Sequence, residues 1–161
     1  MSELRIGFQV NGEELLIPVT QGGSLLDLLR DRLGLDEAPP SCGDGQCGAC
    51  LVLVDGSPVR ACRLPADEVA GREVLTAEGL SESAMGRALL DRFSASNEEH
   101  ELGCGRCVPG LLLAALSCLE NAPEPPDLET ARAAMRGHPC ACLYQDEIAA
   151  AAVEVAREGA V

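Results

Sequence analysis

The residues with the most chemistry to offer are the cysteines, nine in 161 residues, eight of them in two groups. Cys42, Cys47 and Cys50 stand as C-x4-C-x2-C, and Cys62 follows after eleven more residues. That spacing is the plant-type pattern of a [2Fe–2S] cluster held by four thiolates. A compact anionic cluster needs N–H donors around its sulfurs, so the backbone must come close and turn sharply. Gly43, Gly45 and Gly48 permit both, having no Cβ and free access to positive φ. Zinc is usually gripped by two short C-x2–4-C knuckles, and the pairs 42/47 and 50/62 fit that poorly.

The second group is Cys104-Gly-Arg-Cys107 with Cys140-Ala-Cys142, two tight pairs far apart in the chain. On spacing alone it suits zinc as well as iron and sulfur. Pro109 starts a helix just after the first pair, and the N–H groups of that helix end face an anionic centre of either kind. Arg106, between two candidate ligands, would favour a reduced, more negative cluster; the competing reading is a solvent-facing side chain or a salt bridge. Cys118 falls on an apolar helical run and reads as a small buried hydrophobe. His138 precedes Cys140 by two residues, and with four cysteines completing the site it reads as a hydrogen-bonding neighbour rather than a ligand. His100, in Asn97-Glu-Glu-His-Glu101, reads as solvated. The sequence holds no Ser–His–Asp order, HExxH, phosphate loop or dinucleotide fingerprint, so any substrate is expected on another chain.

Two kinds of structure must position these loops. Leu4, Ile6, Phe8 and Val10 alternate as a strand does, Asn11-Gly12 offers a hairpin turn, and Leu15, Ile17 and Val19 continue on the return strand. Ser24 is placed to cap a helix with Leu25, Leu28, Leu29 and Leu33 on one stripe, ended by Gly34. Strands are expected at 51–54, 59–63 and 73–75, with Asp55-Gly56 between the first two. Beyond residue 76 the pattern becomes helical, over 83–95, 109–120, 127–136 and 145–158, with Asp127 as a cap. The expected architecture is α+β: an N-terminal unit over 1–76 and a C-terminal all-α unit over 77–161, each with one cysteine quartet.

Composition narrows the possible partners. A net charge of −14 argues against nucleic acid and anionic membranes, both of which require basic residues. Aromatic residues make up only 2%, so the core must rely on Leu, Val and Ala. No run of about 18 apolar residues is present, and the first residues lack a basic segment leading into an apolar one. The expectation is a cytoplasmic chain whose cysteines bind metal rather than form disulfides.

The order C-x4-C-x2-C-x11-C followed by CGxC and CxC resembles the small iron–sulfur subunit of the molybdenum hydroxylases, a family that includes xanthine dehydrogenase, aldehyde oxidoreductase and aerobic carbon monoxide dehydrogenase. Three stretches carry the resemblance: Ser41–Gly56, Cys104–Gly110 and Gly137–Cys142 with Ile148. It implies a plant-type ferredoxin-like (β-grasp) domain followed by a four-helix domain. It further implies that Cys42, Cys47, Cys50 and Cys62 hold an outer [2Fe–2S] cluster. Cys104, Cys107, Cys140 and Cys142 would hold an inner one, next to the pterin of a large molybdopterin-binding subunit. Electrons would leave through the outer cluster to a flavin (FAD) subunit or another acceptor.

The sequence departs from that family around the inner site. Gly103 stands where the family has a glutamine that helps hold the pterin, and glycine has no side chain to do so. Arg106, Val108 and Ala141 replace an aromatic residue, a threonine and an arginine, and Leu143-Tyr144-Gln145 replaces Thr-Gly-Tyr. Either the large subunit compensates, or the chain serves a different redox partner, as a free-standing two-cluster carrier would.

Overall fold

The computed structural model describes residues 4–39, 42–97, 105–138 and 144–159. β1 (Leu4–Val10) and β2 (Glu13–Val19) form an antiparallel hairpin in which Ile6 faces Ile17 and Phe8 faces Leu15. Ile6, Phe8 and Val10 are buried, as their alternation predicts, while Leu4 at the strand end is exposed. Asn11 and Gly12 both take positive φ, 50° and 80°, the turn whose twist matches a two-residue hairpin. Asp55 and Gly56 repeat the device at 49° and 77°, between β3 (Leu51–Val54) and β4 (Ser57–Arg60). β5 (Glu73–Leu75) runs parallel to β1 and antiparallel to β3, giving the order β2-β1-β5-β3-β4.

Ser24 does cap a helix. Its hydroxyl oxygen accepts from the Asp27 N–H at 3.1 Å, and the Asp27 carboxylate returns to the Ser24 N–H. Only α1 (Leu25–Asp27) is α-helical; Leu28–Arg32 follows as a wider π-type turn, and Gly34 closes it with φ 68°. Leu25, Leu28 and Leu29 enter the core beneath the sheet. The strand expected over 59–63 is displaced to Ser57–Arg60. The chain turns away there because Arg63 N–H bonds the Arg60 carbonyl at 2.9 Å and the Ala61 carbonyl accepts from Leu26 N–H at 3.1 Å.

The second half is helical: α2 (Ala84–Asn97), α3 (Val108–Asn121), α4 (Leu128–Ala134) and α5 (Tyr144–Glu158). Asp127 caps α4, its carboxylate accepting from Thr130 N–H at 2.8 Å. α4 is shorter than expected, because Met135 N–H bonds Arg132 O at 3.1 Å and tightens the last turn. α3 lies between α5 and β3, so Leu111, Leu113 and Leu116 are wholly enclosed. The few aromatics are used sparingly: Phe93 and Tyr144 meet edge to face at 5.9 Å, joining α2 to α5.

The two halves share β3. Its side chains alternate, so Leu51 and Leu53 enter the helical core while Val52 and Val54 enter the sheet core. Polar contacts tie the same seam. Asn11 exchanges two 2.9 Å hydrogen bonds with Thr76, and Ser117 and Asn121 both donate to the Gly56 carbonyl, at 2.8 and 3.1 Å. No described helix is long and apolar enough to cross a membrane.

Candidate metal centre

The loop from Cys42 to Cys50 is built on left-handed backbone. Gly43, Gly45 and Gly48 have φ of 70°, 79° and 72°. Two of them are also crowded. A Cβ on Gly45 would lie 2.5 Å from Arg63 Cγ, and one on Gly48 would lie 2.6 Å from His138 Cδ2. Cys47 N–H donates to Cys42 Sγ at 3.3 Å, the kind of backbone-to-sulfur contact a cluster loop requires. Asp44 caps the bend by accepting from Gln46 N–H at 3.1 Å. Its carboxyl is held below the usual range, first by a hydrogen bond from the Cys42 thiol and then by the Gln46 N–H.

Cys62 comes from the other side, on the turn after β4. The free N–H groups at the start of α1 hold that turn: Leu25 N–H bonds Leu64 O at 2.7 Å, and Leu26 N–H bonds Ala61 O. Cys50 is buried, Cys47 and Cys62 are half-buried, and Cys42 is exposed. Burial pushes the Cys62 thiol up to about 11, assisted by a hydrogen bond with Cys50 and by the charges of Cys50 and Cys42, against a Gly45 N–H that lowers it. Sulfurs that oppose one another's ionisation in this way need a cationic centre to become thiolates together, and metal coordination supplies that. The donor set therefore fits an iron–sulfur group. Among the described residues no three His, Cys, Asp or Glu side chains crowd one point closely enough for a single ion. A [2Fe–2S] cluster asks for a looser arrangement, with the four thiolates shared between two irons.

Of the second quartet, Cys107 lies within the described residues; Cys104, Cys140 and Cys142 fall outside them, as does His100. Cys107 occupies the cap position of α3, its carbonyl accepting from Leu111 N–H at 3.0 Å, with Pro109 in the first turn. The partial positive charge of that helix end favours a thiolate there. Gly105, with φ 68°, makes the preceding turn. Arg106 is exposed, in line with the solvent-facing reading, and Cys118 is only half-buried, with burial raising its thiol.

The first cysteine loop meets the first turn of α3. A Cβ on Gly110, in the first turn of α3, would sit 2.8 Å from the Gly48 carbonyl and 3.3 Å from His138 Nε2. Gly110 is three residues from Cys107, and Gly48 lies next to Cys47 and two residues before Cys50. His138, read from the sequence as a neighbour of the second quartet, places its ring between Gly48 of the first loop and Gly110 of α3; Cys104, Cys140 and Cys142, which it would serve, lie outside the described residues. His138 is 4% exposed, and neither ring nitrogen has a hydrogen-bond partner among the described residues. Burial pushes its titration down and the charge of Arg60 adds to this, against the nearby carbonyls of Met135 and Gly48, which lie close enough to favour the charged ring without meeting bonding geometry.

Sequence reading missed the residues that hold this seam. Arg60 Nη2 donates to Gly137 O at 2.7 Å and Gln145 Nε2 to His138 O at 2.5 Å. A signal existed only for Gly110, since a glycine inside an apolar helix costs about 1 kcal/mol against alanine and implies a packing reason.

Comparison with known proteins agrees with the two-part architecture. Residues 8–80 match the family model of the 2Fe–2S iron–sulfur cluster binding domain, and residues 76–153 that of the [2Fe–2S] binding domain. The nicotinate dehydrogenase small FeS subunit of Eubacterium barkeri is 35% identical over 151 residues, covering 94% of each chain. The xanthine dehydrogenase iron–sulfur-binding subunit of Escherichia coli O157:H7 is 34% identical over 138 residues, covering 84% of each. A chain in the crystal structure of quinoline 2-oxidoreductase from Pseudomonas putida 86 superposes with a TM-score of 0.78 at 33% identity, covering 99% of both chains. With cysteine loops, fold and relatives in agreement, the chain belongs to the small iron–sulfur subunits of the molybdenum hydroxylases.

Proposed function

We propose that Cys42, Cys47, Cys50 and Cys62 hold the outer [2Fe–2S] cluster and Cys104, Cys107, Cys140 and Cys142 the inner one, one in each of the units 1–76 and 77–161. The observation that carries this reading is the contact of Gly48 with Gly110, which sets the first cysteine loop against the first turn of α3, three residues after Cys107. Each cluster, when bound, accepts and releases one electron. The chain is the electron-transfer subunit, relaying electrons from a molybdopterin-containing catalytic subunit to a flavin subunit or another acceptor. Its own residues supply thiolates, backbone N–H groups that stabilise charged sulfur, and the packed contact of Gly48, His138 and Gly110 between the first loop and α3. Arg60 and Arg63 flank Cys62 and bring positive charge beside the outer loop of a chain whose net charge is −14. A cytoplasmic setting, where thiols stay reduced until metal is loaded, suits this cysteine usage.

The test is metal analysis and EPR of the complex purified anaerobically. Wild type should carry about 4 Fe per chain and no zinc, with two distinguishable reduced signals. Cys62→Ser and Cys107→Ser should each abolish a different signal. Zinc in the protein, or isolation as a lone chain with no molybdenum-containing partner, defeats the reading; the latter outcome would favour a free-standing carrier.

A further inference from the structure

Among the described residues, the Gly48 carbonyl, the first turn of α3 at Gly110 and the His138 ring meet at the seam between the first cysteine loop and α3, beside Leu51. Each admits the others only because two of them lack a side chain. A Cβ on Gly48 would come within 2.6 Å of His138 Cδ2 and 3.0 Å of Nε2, and one on Gly110 within 2.8 Å of Gly48 O. The ring is enclosed, yet no described hydrogen bond holds it. Its backbone, by contrast, is tethered from three directions, by Met135 O to its own N–H at 3.1 Å, by Gln145 to its carbonyl, and by Arg60 to the neighbouring Gly137 carbonyl. Arg60 lies two residues before Cys62, and His138 two before Cys140. One short strap therefore joins ligand-bearing segments of both quartets.

We infer that His138 is a positioning residue that fixes the separation of the two clusters, its ring acting as the spacer between the outer loop and α3. This rests on the assignment of one cluster to each quartet. A polar ring with no hydrogen-bond partner among the described residues is a costly way to fill a gap. What an imidazole provides is a flat, rigid body that fits against two glycine backbones, and a smaller side chain would leave the loops free to shift. The spacing between the redox centres is thus set by a residue that need not ligate either.

Two fully reduced clusters are paramagnetic neighbours, and their magnetic interaction splits each other's EPR lines with an inverse-cube dependence on separation. The assembled complex, fully reduced, gives the readout. Gly110→Ala pushes on the Gly48 carbonyl from the helix side without harming helix propensity, and should narrow the splitting. His138→Ala should shift and broaden it, since the seam is no longer held at one separation, and His138→Asn should restore part of the wild-type line shape. Leu89→Ala, in the helical core on α2, should lower stability and leave the splitting unchanged. If Gly110→Ala and His138→Ala both retain wild-type splitting at full iron content, His138 is core filling and the inference fails. If His138→Ala does not load iron, Gly110→Ala decides alone. Iron content below two clusters in wild type would instead refute the ligand assignment on which the inference rests.

Discussion

Replacing Gly45 with alanine tests how the outer loop is held in shape. The residue has φ 79°, and its missing Cβ would stand 2.5 Å from Arg63 Cγ. The left-handed backbone costs a residue with a Cβ about 1–2 kcal/mol. Alanine also restricts the unfolded chain, which returns about 0.4–1 kcal/mol, leaving a net backbone loss on the order of 1 kcal/mol. The contact with Arg63 adds to this, but Arg63 is exposed and can swing aside, so the addition is about 0.5–1 kcal/mol. Gly43 is the internal control: its φ is 70°, yet nothing lies within 4 Å of its missing Cβ. Gly43→Ala should therefore show the backbone loss alone, and Gly45→Ala a total near 1.5–2 kcal/mol, equivalent to about 3–8 °C in the midpoint for a chain of this size. Thermal scans of the anaerobic, cluster-loaded protein by circular dichroism would measure both. The double variant Gly45→Ala/Arg63→Ala should fall back to the Gly43→Ala value. Equal losses for Gly43→Ala and Gly45→Ala would refute the Arg63 contact, and no loss in either would refute the left-handed loop.

Three further outcomes are expected. Leu116→Ala, which empties a fully enclosed site in α3, should cost about 2–5 kcal/mol, seen as a lower urea midpoint with an unchanged slope. Asp127→Ala should cost about 1 kcal/mol through loss of the α4 cap at Thr130, with no effect on either EPR signal. Glu37 has a pKa raised above 4.5, first by burial and then by Glu78, so its ionisation opposes folding: the favourable contribution is complete below pH 4.5 and is lost as pH rises through the folded-state value. Glu37→Gln should accordingly be slightly more stable than wild type at pH 7 and indistinguishable below pH 4, and a greater advantage at low pH would contradict the sign.

Some features depend only on neighbours in the chain, and these were legible in the sequence. The C-x4-C-x2-C spacing and its glycines announce a sharply folded cluster loop, because positive φ is a local demand. Asn11-Gly12 and Asp55-Gly56 announce hairpins, and Ser24 and Asp127 announce helix starts, for the same reason. The even spacing of Ile6, Phe8 and Val10 identifies a buried strand face. Other features depend on partners distant in sequence. Leu51–Val54 reads as a short apolar run, but only packing divides it between two cores. Residues 59–63 have a strand-like composition, yet the chain leaves the sheet at Arg60 because α1 N–H groups capture the Ala61 and Leu64 carbonyls. His138 shows the limit most clearly. Its place near Cys140 suggests service to the inner site, but the glycines that make room for its ring are Gly48 and Gly110, and no periodicity connects them. The candidate cysteines stood out by local spacing; the contact between the first loop and α3 came from tertiary packing, since a missing Cβ acquires meaning only when something distant occupies its place.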